Sequence, residues 1–220
     1  MPRRKKEAER LRSIVGILVG EEPVPRSYLN HGSPWQLLVA TVLSAQCTDA
    51  GVNRVTPALF ARFPEPAALA GAGVAEVQDL IRSIGLYRNK AKNLVALARI
   101  VANEHGGRVP CTRAALEALP GVGRKTASVV LGQGFGVPAF AVDTHVGRVC
   151  QRLGFAETPD PRQVEQAITP LLDPSLWVEA HLLLIRHGRR TCKARAPRCP
   201  QCPVRELCRW PHKTGARQPE

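Results

Sequence analysis

The chain has 220 residues, of which 44% are hydrophobic and 22% charged, and its formal net charge at pH 7 is +13. This length and composition are typical of a globular protein with one large or two small domains, and they exclude an intrinsically disordered chain. No apolar run reaches the roughly 20 residues of a membrane-spanning helix, and the basic N-terminus lacks the apolar segment of a secretory signal, so we expect a cytoplasmic protein with no membrane partner.

The positive charge is concentrated at the two ends of the chain. Residues 1–12 hold six Lys/Arg and two Glu, and residues 181–220 hold ten Lys/Arg and two Glu, whereas the 168 residues between them are nearly neutral. Two basic segments that fold against each other would bind a polyanion such as nucleic acid, although basic ends that only aid solubility would carry the same charges. Apolar residues at helical spacing favour a packed N-terminal helix; they are Leu11, Ile14, Val15, Ile17 and Leu18.

Helical patterns continue along nearly the whole chain. Ser33 and Pro34 predict the N-cap and first turn of a helix that runs through Leu43. Glycine and proline separate the further predicted helices, which lie at about residues 49–62, 74–83, 87–104, 112–118, 124–132, 142–153, 161–172 and 175–187. Because no run of alternating β-branched residues predicts a strand, the expected fold class is all-α.

Residues 119–127, LPGVGRKTA, place Pro120, Gly121 and Gly123 in a tight turn between two predicted helices. The glycines permit a positive φ and the close approach of another backbone. Unpaired amide groups in the turn and at the start of the second helix suit a phosphate group. This helix–hairpin–helix would grip a phosphate without reading base sequence, although an ordinary connection between helices would explain two glycines equally well.

Lys125 lies in the first turn of the second helix, where the positive end of the helix dipole favours the neutral amine over the ammonium. A neutral amine is a nucleophile. Eighteen residues later, Asp143 stands at the head of another predicted helix, after a turn at residues 136–138 that could fold it back. Taken singly, a lysine on a helix is usually solvated and an aspartate at a helix start is usually an N-cap.

Four of the seven cysteines fall within 17 residues near the C-terminus, with the spacing Cx6Cx2Cx5C; they are Cys192, Cys199, Cys202 and Cys208. Prolines separate them, so this segment cannot build a packed core and needs a group around which to organise. The lack of a secretion signal disfavours disulfides. A tetrahedral zinc site stays open, but four-cysteine zinc sites usually show two CxxC pairs, so the uneven spacing favours an iron–sulfur cluster.

In combination, LPGVGRKTA, the segment AVDTH at residues 141–145 and the cysteine spacing resemble the endonuclease III family of base-excision DNA glycosylases. The similarity extends to three more segments: LSAQ at 43–46 followed by TD at 48–49, IGLY at 84–87, and HGR at 187–189. It covers the chain from about residue 10 to residue 212, and the order of so many motifs makes it highly specific.

The resemblance implies a reaction for the lysine and the aspartate. Lys125 would attack C1′ of a damaged nucleotide, expel the base and form a Schiff base that leads to β-elimination of the 3′ phosphate. Asp143 would stabilise the positive charge that develops on the sugar. The implied partner is double-stranded DNA with oxidised pyrimidines or abasic sites, and the target nucleotide is flipped out of the helix. We therefore expect the protein to associate with the nucleoid. We also expect it to be a monomer.

The resemblance also implies DNA contacts and a polar shell. Gln46 and Leu86 would enter the duplex, although without the resemblance they read as a helix-end polar residue and a core leucine. Further implied DNA-binding residues are Gly121 and Gly123 in the hairpin and Lys193, Arg195 and Arg198 between the first two cysteines. Glu117 and His145 are weaker candidates for a polar shell near the lysine.

The family fold implies two helical domains that flank a DNA-binding cleft. A six-helix barrel at residues 27–137 would contain the helix–hairpin–helix at about residues 113–132. Residues 1–26 and 138–220 would form a discontinuous domain in which Cys192, Cys199, Cys202 and Cys208 hold a [4Fe-4S] cluster. The alternative is a non-enzymatic DNA-binding protein that uses the hairpin as a clamp and the cluster as a redox sensor. The pairing of Lys125 with Asp143 argues against it.

Overall fold

The computed structural model describes residues 2–21 and 27–215, and within these ranges it contains helices and no strand, which confirms the all-α class. The α-helices are α1 (Pro2–Glu21), α2 (Pro34–Leu43), α3 (Asp49–Arg62), α4 (Pro66–Ala70), α5 (Val74–Ile81), α6 (Tyr87–Glu104), α7 (Arg113–Glu117), α8 (Arg124–Val129), α9 (Thr144–Leu153), α10 (Pro161–Ile168) and α11 (Trp177–Arg190). A π-helical turn, Val130–Gly134, continues α8. None of the described helices is both long and apolar enough to cross a membrane.

The chain divides into two compact units. One unit is Ser27–Val137, which holds α2 to α8, and the other combines the segments before and after it in the sequence. In the second unit α1 packs against α11, and its residues Leu11, Ile14 and Leu18 are fully buried. The apolar pattern of the basic N-terminus therefore marks a packed helix, except that Ile17 lies on the outer face and is exposed.

The core of the 27–137 unit is built around α2. Ser33 caps this helix by accepting a hydrogen bond from the Gln36 amide, and Pro34 occupies the first turn, as the sequence predicts. Eight of the ten residues of α2 are buried, because it packs against α3, α6, α8 and the π-helical turn. This helix supports the loop that contains Gln46.

Several helices differ from the sequence prediction: α10 ends at Ile168 and not at 172, and α11 runs from Trp177 to Arg190 where 175–187 was expected. The helix expected at residues 142–153 begins at Thr144, because the Asp143 side chain caps it. The helix expected at residues 124–132 changes to a π-helical turn after Val129. The five-residue helix α4 was not predicted, because so short a segment has no visible period.

Two glycines set how closely other segments approach α9 in the second unit. A Cβ on Gly147 would lie 2.6 Å from the carbonyl oxygen of Pro159, so only glycine fits without a backbone shift. On α11, a Cβ at Gly188 would lie 3.0 Å from the Cβ of His145 and 3.2 Å from Val149. The close packing of α9 fixes the helix that begins next to Asp143.

Candidate active site and cysteine pocket

The helix–hairpin–helix is formed by α7, a turn and α8. Gly121 in the turn has φ +78°, and a Cβ at this position would lie 3.0 Å from Nδ2 of Asn93 on α6. Gly121 therefore has the expected positive φ, but the group that approaches it is the side chain of Asn93 and not another backbone. Gly123 lacks the positive φ: it is extended, with φ −98°, and serves as the N-cap of α8.

Lys125 lies in the first turn of α8 and is half-buried, between exposed Arg124 and buried Thr126. The two hairpin helices are joined through Arg113 on α7, whose Nη1 donates to Ser128 Oγ on α8 over 3.0 Å. The same Nη1 is 3.4 Å from Glu117 Oε1. Glu117, predicted as part of a polar shell, is thus held on α7 by an i,i+4 ion pair.

Asp143 is the N-cap of α9 and is half-buried. Its Oδ1 accepts a hydrogen bond of 2.8 Å from the Val146 amide, so the carboxylate lies at the positive end of the helix dipole. The structural role that an aspartate usually has at a helix start is therefore present.

His145, in the first turn of α9, packs against α11. Burial lowers its pKa; Arg148 and Arg189 act in the same direction, while Asp143 and a backbone hydrogen bond to Gly188 oppose them. Its Nδ1 is 3.2 Å from Arg148 Nη2, which can only donate, so Nδ1 accepts. Through its backbone hydrogen bond to Gly188, His145 joins α9 to α11.

Gln46 and Leu86 share an unusual conformation. Both have left-handed backbones, with φ of 56° and 59°, which costs roughly 1–2 kcal/mol for a residue with a Cβ. Gln46 is exposed, and Leu86 is 55% exposed, so the interpretation of Leu86 as a core leucine is wrong. An exposed leucine held in a strained conformation is typical of a functional contact.

The four clustered cysteines line one pocket of the second unit. Burial raises the pKa of Cys202 to about 12, and the nearby sulfurs of Cys208, Cys192 and Cys199 act in the same direction. Cys150 on α9 is a separate, fully buried thiol, and its burial raises its pKa too. It lines no part of the pocket.

The donor set of this pocket, four cysteine thiolates, matches the ligand set of a [4Fe-4S] cluster. Among the described residues, no three His, Cys, Asp or Glu side chains converge closely enough to hold one metal ion. A zinc ion needs its four sulfurs at about 2.3 Å from one centre, whereas a cubane binds each thiolate through a different iron and so needs a wider arrangement. The four cysteines of this pocket supply one thiolate for each iron of such a cluster.

Two arginines of α9 hydrogen-bond the loop after the first pocket cysteine, and no sequence pattern predicted either of them. Arg152 Nη1 is 3.4 Å from Cys192 Sγ and donates to the Lys193 carbonyl over 2.7 Å. Arg148 Nε donates to the Cys192 carbonyl over 3.1 Å. Of the three predicted basic residues in this loop, Lys193 is half-buried while Arg195 and Arg198 are exposed.

A third arginine joins α1 to the pocket. Arg10 Nη1 donates to the carbonyls of Leu153 and Leu207, over 2.8 and 2.9 Å. Glu7 forms an ion pair with Arg10 and hydrogen-bonds Arg209, next to the last pocket cysteine. The two basic ends of the chain thus fold against each other in one unit.

The chain is similar to known proteins along most of its length. Residues 39–174 match the family model of the HhH-GPD superfamily base excision DNA repair proteins. Over 207 residues it is 47% identical to endonuclease III of Escherichia coli (strain K12), which covers 94% of this chain and 98% of that protein. It is 50% identical over 182 residues to endonuclease III of Bacillus subtilis (strain 168), covering 82% of this chain and 83% of that one.

A solved structure shows the same fold. The structure of a trapped endonuclease III–DNA covalent intermediate, the estranged-adenine complex, superposes with a TM-score of 0.86. It is 44% identical in sequence and covers 92% of this chain and 95% of that chain.

Proposed function

Because the chain belongs to the endonuclease III family of the HhH-GPD base excision DNA repair proteins, we propose that Lys125 carries both of its activities, DNA glycosylase and abasic-site lyase. The proposed substrates are oxidised pyrimidines in duplex DNA. The position of Lys125, half-buried at the start of the second hairpin helix, is the observation that carries this proposal. Borohydride trapping on DNA with an abasic site tests it, since borohydride reduces a Schiff base to a stable covalent link.

The proposed reaction needs one amine for both steps. Attack of the Lys125 Nζ lone pair on C1′ breaks the bond to the base, which leaves with the bonding electrons and takes up a proton. Loss of a proton from nitrogen and opening of the sugar give the iminium at C1′, which acidifies C2′. Removal of a C2′ proton then expels the 3′ phosphate, and water releases the lysine.

Asp143 is proposed to stabilise the positive charge that develops on the sugar and to assist the proton transfers. The half-buried carboxylate is fixed by the amide of Val146, so its orientation is set before substrate binds. Glu117 and His145 stay proposals for a polar shell. Their partners in the structure are Arg113 and Arg148, respectively.

We further propose that Cys192, Cys199, Cys202 and Cys208 hold a [4Fe-4S] cluster. When bound, the cluster would supply the structural centre around which the C-terminal loop is organised. Arg152, beside Cys192, would orient the first ligand, and the loop would present Arg195 and Arg198 to DNA phosphates. This role differs from the redox sensing of the non-enzymatic alternative, which the enzymatic relatives do not favour.

We expect the purified protein to be brown and to absorb in the blue part of the visible spectrum. Removal of the iron by chelation under oxidising conditions should bleach the protein and lower its thermal stability, because the C-terminal loop loses its centre. The measurements are visible absorption, thermal unfolding, and iron, sulfide and zinc content per chain. A colourless protein with one tightly bound zinc would refute the cluster.

Gln46 and Leu86 are proposed to fill and wedge the duplex when the target nucleotide leaves it. An apolar side chain can part stacked bases, and an amide can pair with the orphaned base. Both residues are exposed in the 27–137 unit, as a contact with DNA requires. Gly121 and Gly123 are proposed to hold a phosphate in the hairpin.

The protein is proposed to act as a monomer, which light scattering in solution would check.

Leu86→Ala should weaken excision from duplex DNA by about tenfold and strand cleavage at a single-stranded abasic site by much less. The reason is that an inserted side chain separates strands only in a duplex, and a single-stranded substrate has no opposite strand. Initial rates on the two substrates are the measurement, and Val137→Ala, which trims another exposed apolar side chain of the same unit, is the control. Equal losses on both substrates would argue against a wedge.

A further inference from the structure

A buried lysine lies behind the two loops that carry Gln46 and Leu86. Lys90, on α6, is only 5% exposed, and its Nζ lies 2.9 Å from Sγ of Cys47. Burying an ammonium destabilises a fold unless the charge gains a partner. The sulfur of Cys47 is the partner that the structure provides, and Cys47 directly follows Gln46.

The same sulfur contacts the second loop. Cys47 Sγ is 3.7 Å from the carbonyl oxygen of Gly85, the residue directly before Leu86. A Cβ built on Gly85 would lie 3.8 Å from that sulfur and 3.9 Å from the carbonyl oxygen of Gln46, so the two loops touch at this point. Lys90, Cys47 and Gly85 thus form a chain of contacts that joins the two loops from behind.

The two loop residues need such support. Gln46 and Leu86 have left-handed backbones, a conformation that persists only where the surrounding structure imposes it. Both side chains project into solvent, so their own packing cannot impose it. Some restraint comes from neighbouring backbone: the Cys47 amide donates to the Ser44 carbonyl over 3.0 Å. The Cys47 sulfur makes the contact between the two loops, through the carbonyl oxygen of Gly85.

We infer that Lys90 is a positioning residue: through Cys47 and Gly85, its ammonium holds Gln46 and Leu86 at the mutual spacing with which they enter a duplex. This inference rests on the proposed function, because it assigns the two loops their task. The expected effect is selective for duplex DNA. Loss of the ammonium should impair the action of the enzyme on duplex DNA and largely spare its action on a single strand, where no opposite strand has to be parted.

The test compares Lys90→Met with Lys92→Met, which removes the same charge from an exposed position of the same helix. Methionine keeps an unbranched apolar side chain in the buried space. For Lys90→Met we expect kcat/KM on duplex DNA with an oxidised pyrimidine to fall about tenfold and cleavage of a single-stranded abasic site to change less than about twofold. Lys92→Met should change the two activities by the same factor.

A double-mutant cycle with Leu86→Ala separates positioning from general damage. If Lys90 acts through the loops, Lys90→Met should add little to the loss on duplex DNA that Leu86→Ala already causes. If Lys90→Met does not fold, variants of Cys47 test the same contact from its other side. Cys47→Ala should reproduce the selective loss on duplex DNA, and Cys47→Ser, which keeps an acceptor for the ammonium, should restore most of the activity.

The outcomes distinguish this inference from the function on which it rests. If the wild-type protein cleaves neither substrate, the proposed function fails and the positioning role fails with it. If the wild type cleaves both substrates, equal losses on both for Lys90→Met, or a full additional loss in the Leu86→Ala background, would overturn the positioning role alone. Selective loss with non-additivity would support it.

Discussion

Lys125→Gln should abolish borohydride trapping on DNA that contains an abasic site and reduce base excision and strand cleavage on the order of 10³-fold or more. The variant keeps a polar side chain of similar reach but has no amine with which to attack C1′. Lys125 is half-buried in the first turn of α8, so the change should leave the fold and the binding of duplex DNA nearly intact. Covalent adducts are measured on denaturing gels, and binding by fluorescence anisotropy.

Two controls separate the amine from the positive charge. Lys125→Arg keeps the charge but not the nucleophile, and it should also form no adduct. Arg124→Gln removes a charge one residue earlier on the same helix, and it should still be trapped even if its affinity falls. If wild-type protein with intact activity forms no adduct, the lyase mechanism is wrong. If Lys125→Gln is trapped as well as the wild type, another amine is the nucleophile.

Asp143→Asn should lower excision by about 10²- to 10³-fold while the thermal stability stays nearly unchanged. Asparagine caps a helix about as well as aspartate, so the bond from the Val146 amide survives while the negative charge is lost. Asp143→Ala removes both, and it should lose the same activity and in addition about 1 kcal/mol of the free energy of unfolding. Single-turnover rates and thermal unfolding of the two variants are the measurements.

Asp160→Asn is the matched control for this pair. Asp160 caps α10 in the same unit and accepts from the amides of Arg162 and Gln163, so the same exchange is made at a helix start with no proposed chemistry. We expect wild-type activity and stability. Should Asp143→Asn behave in the same way, the carboxylate is only a cap, and the stabilising charge has to come from another residue.

Local patterns in the sequence determined most of the architecture. Helix periods and turn residues predicted the all-α class, the cap at Ser33, the hairpin turn around Gly121 and the position of Asp143 at the head of α9. The spacing of four cysteines identified a shared site, and they do line one pocket. These features depend on residues a few positions apart, and short-range patterns report on such contacts directly.

Contacts between distant residues were decided by the tertiary structure. Leu86 has an ordinary place in the apolar pattern, yet the fold leaves it exposed in a left-handed conformation. Arg152 meets the cysteine loop 40 residues later, and Lys90 meets a sulfur 43 residues earlier. Glycine at 147 is required because another backbone crosses there. No local pattern encodes which residues meet across such separations, because that follows from how the helices pack.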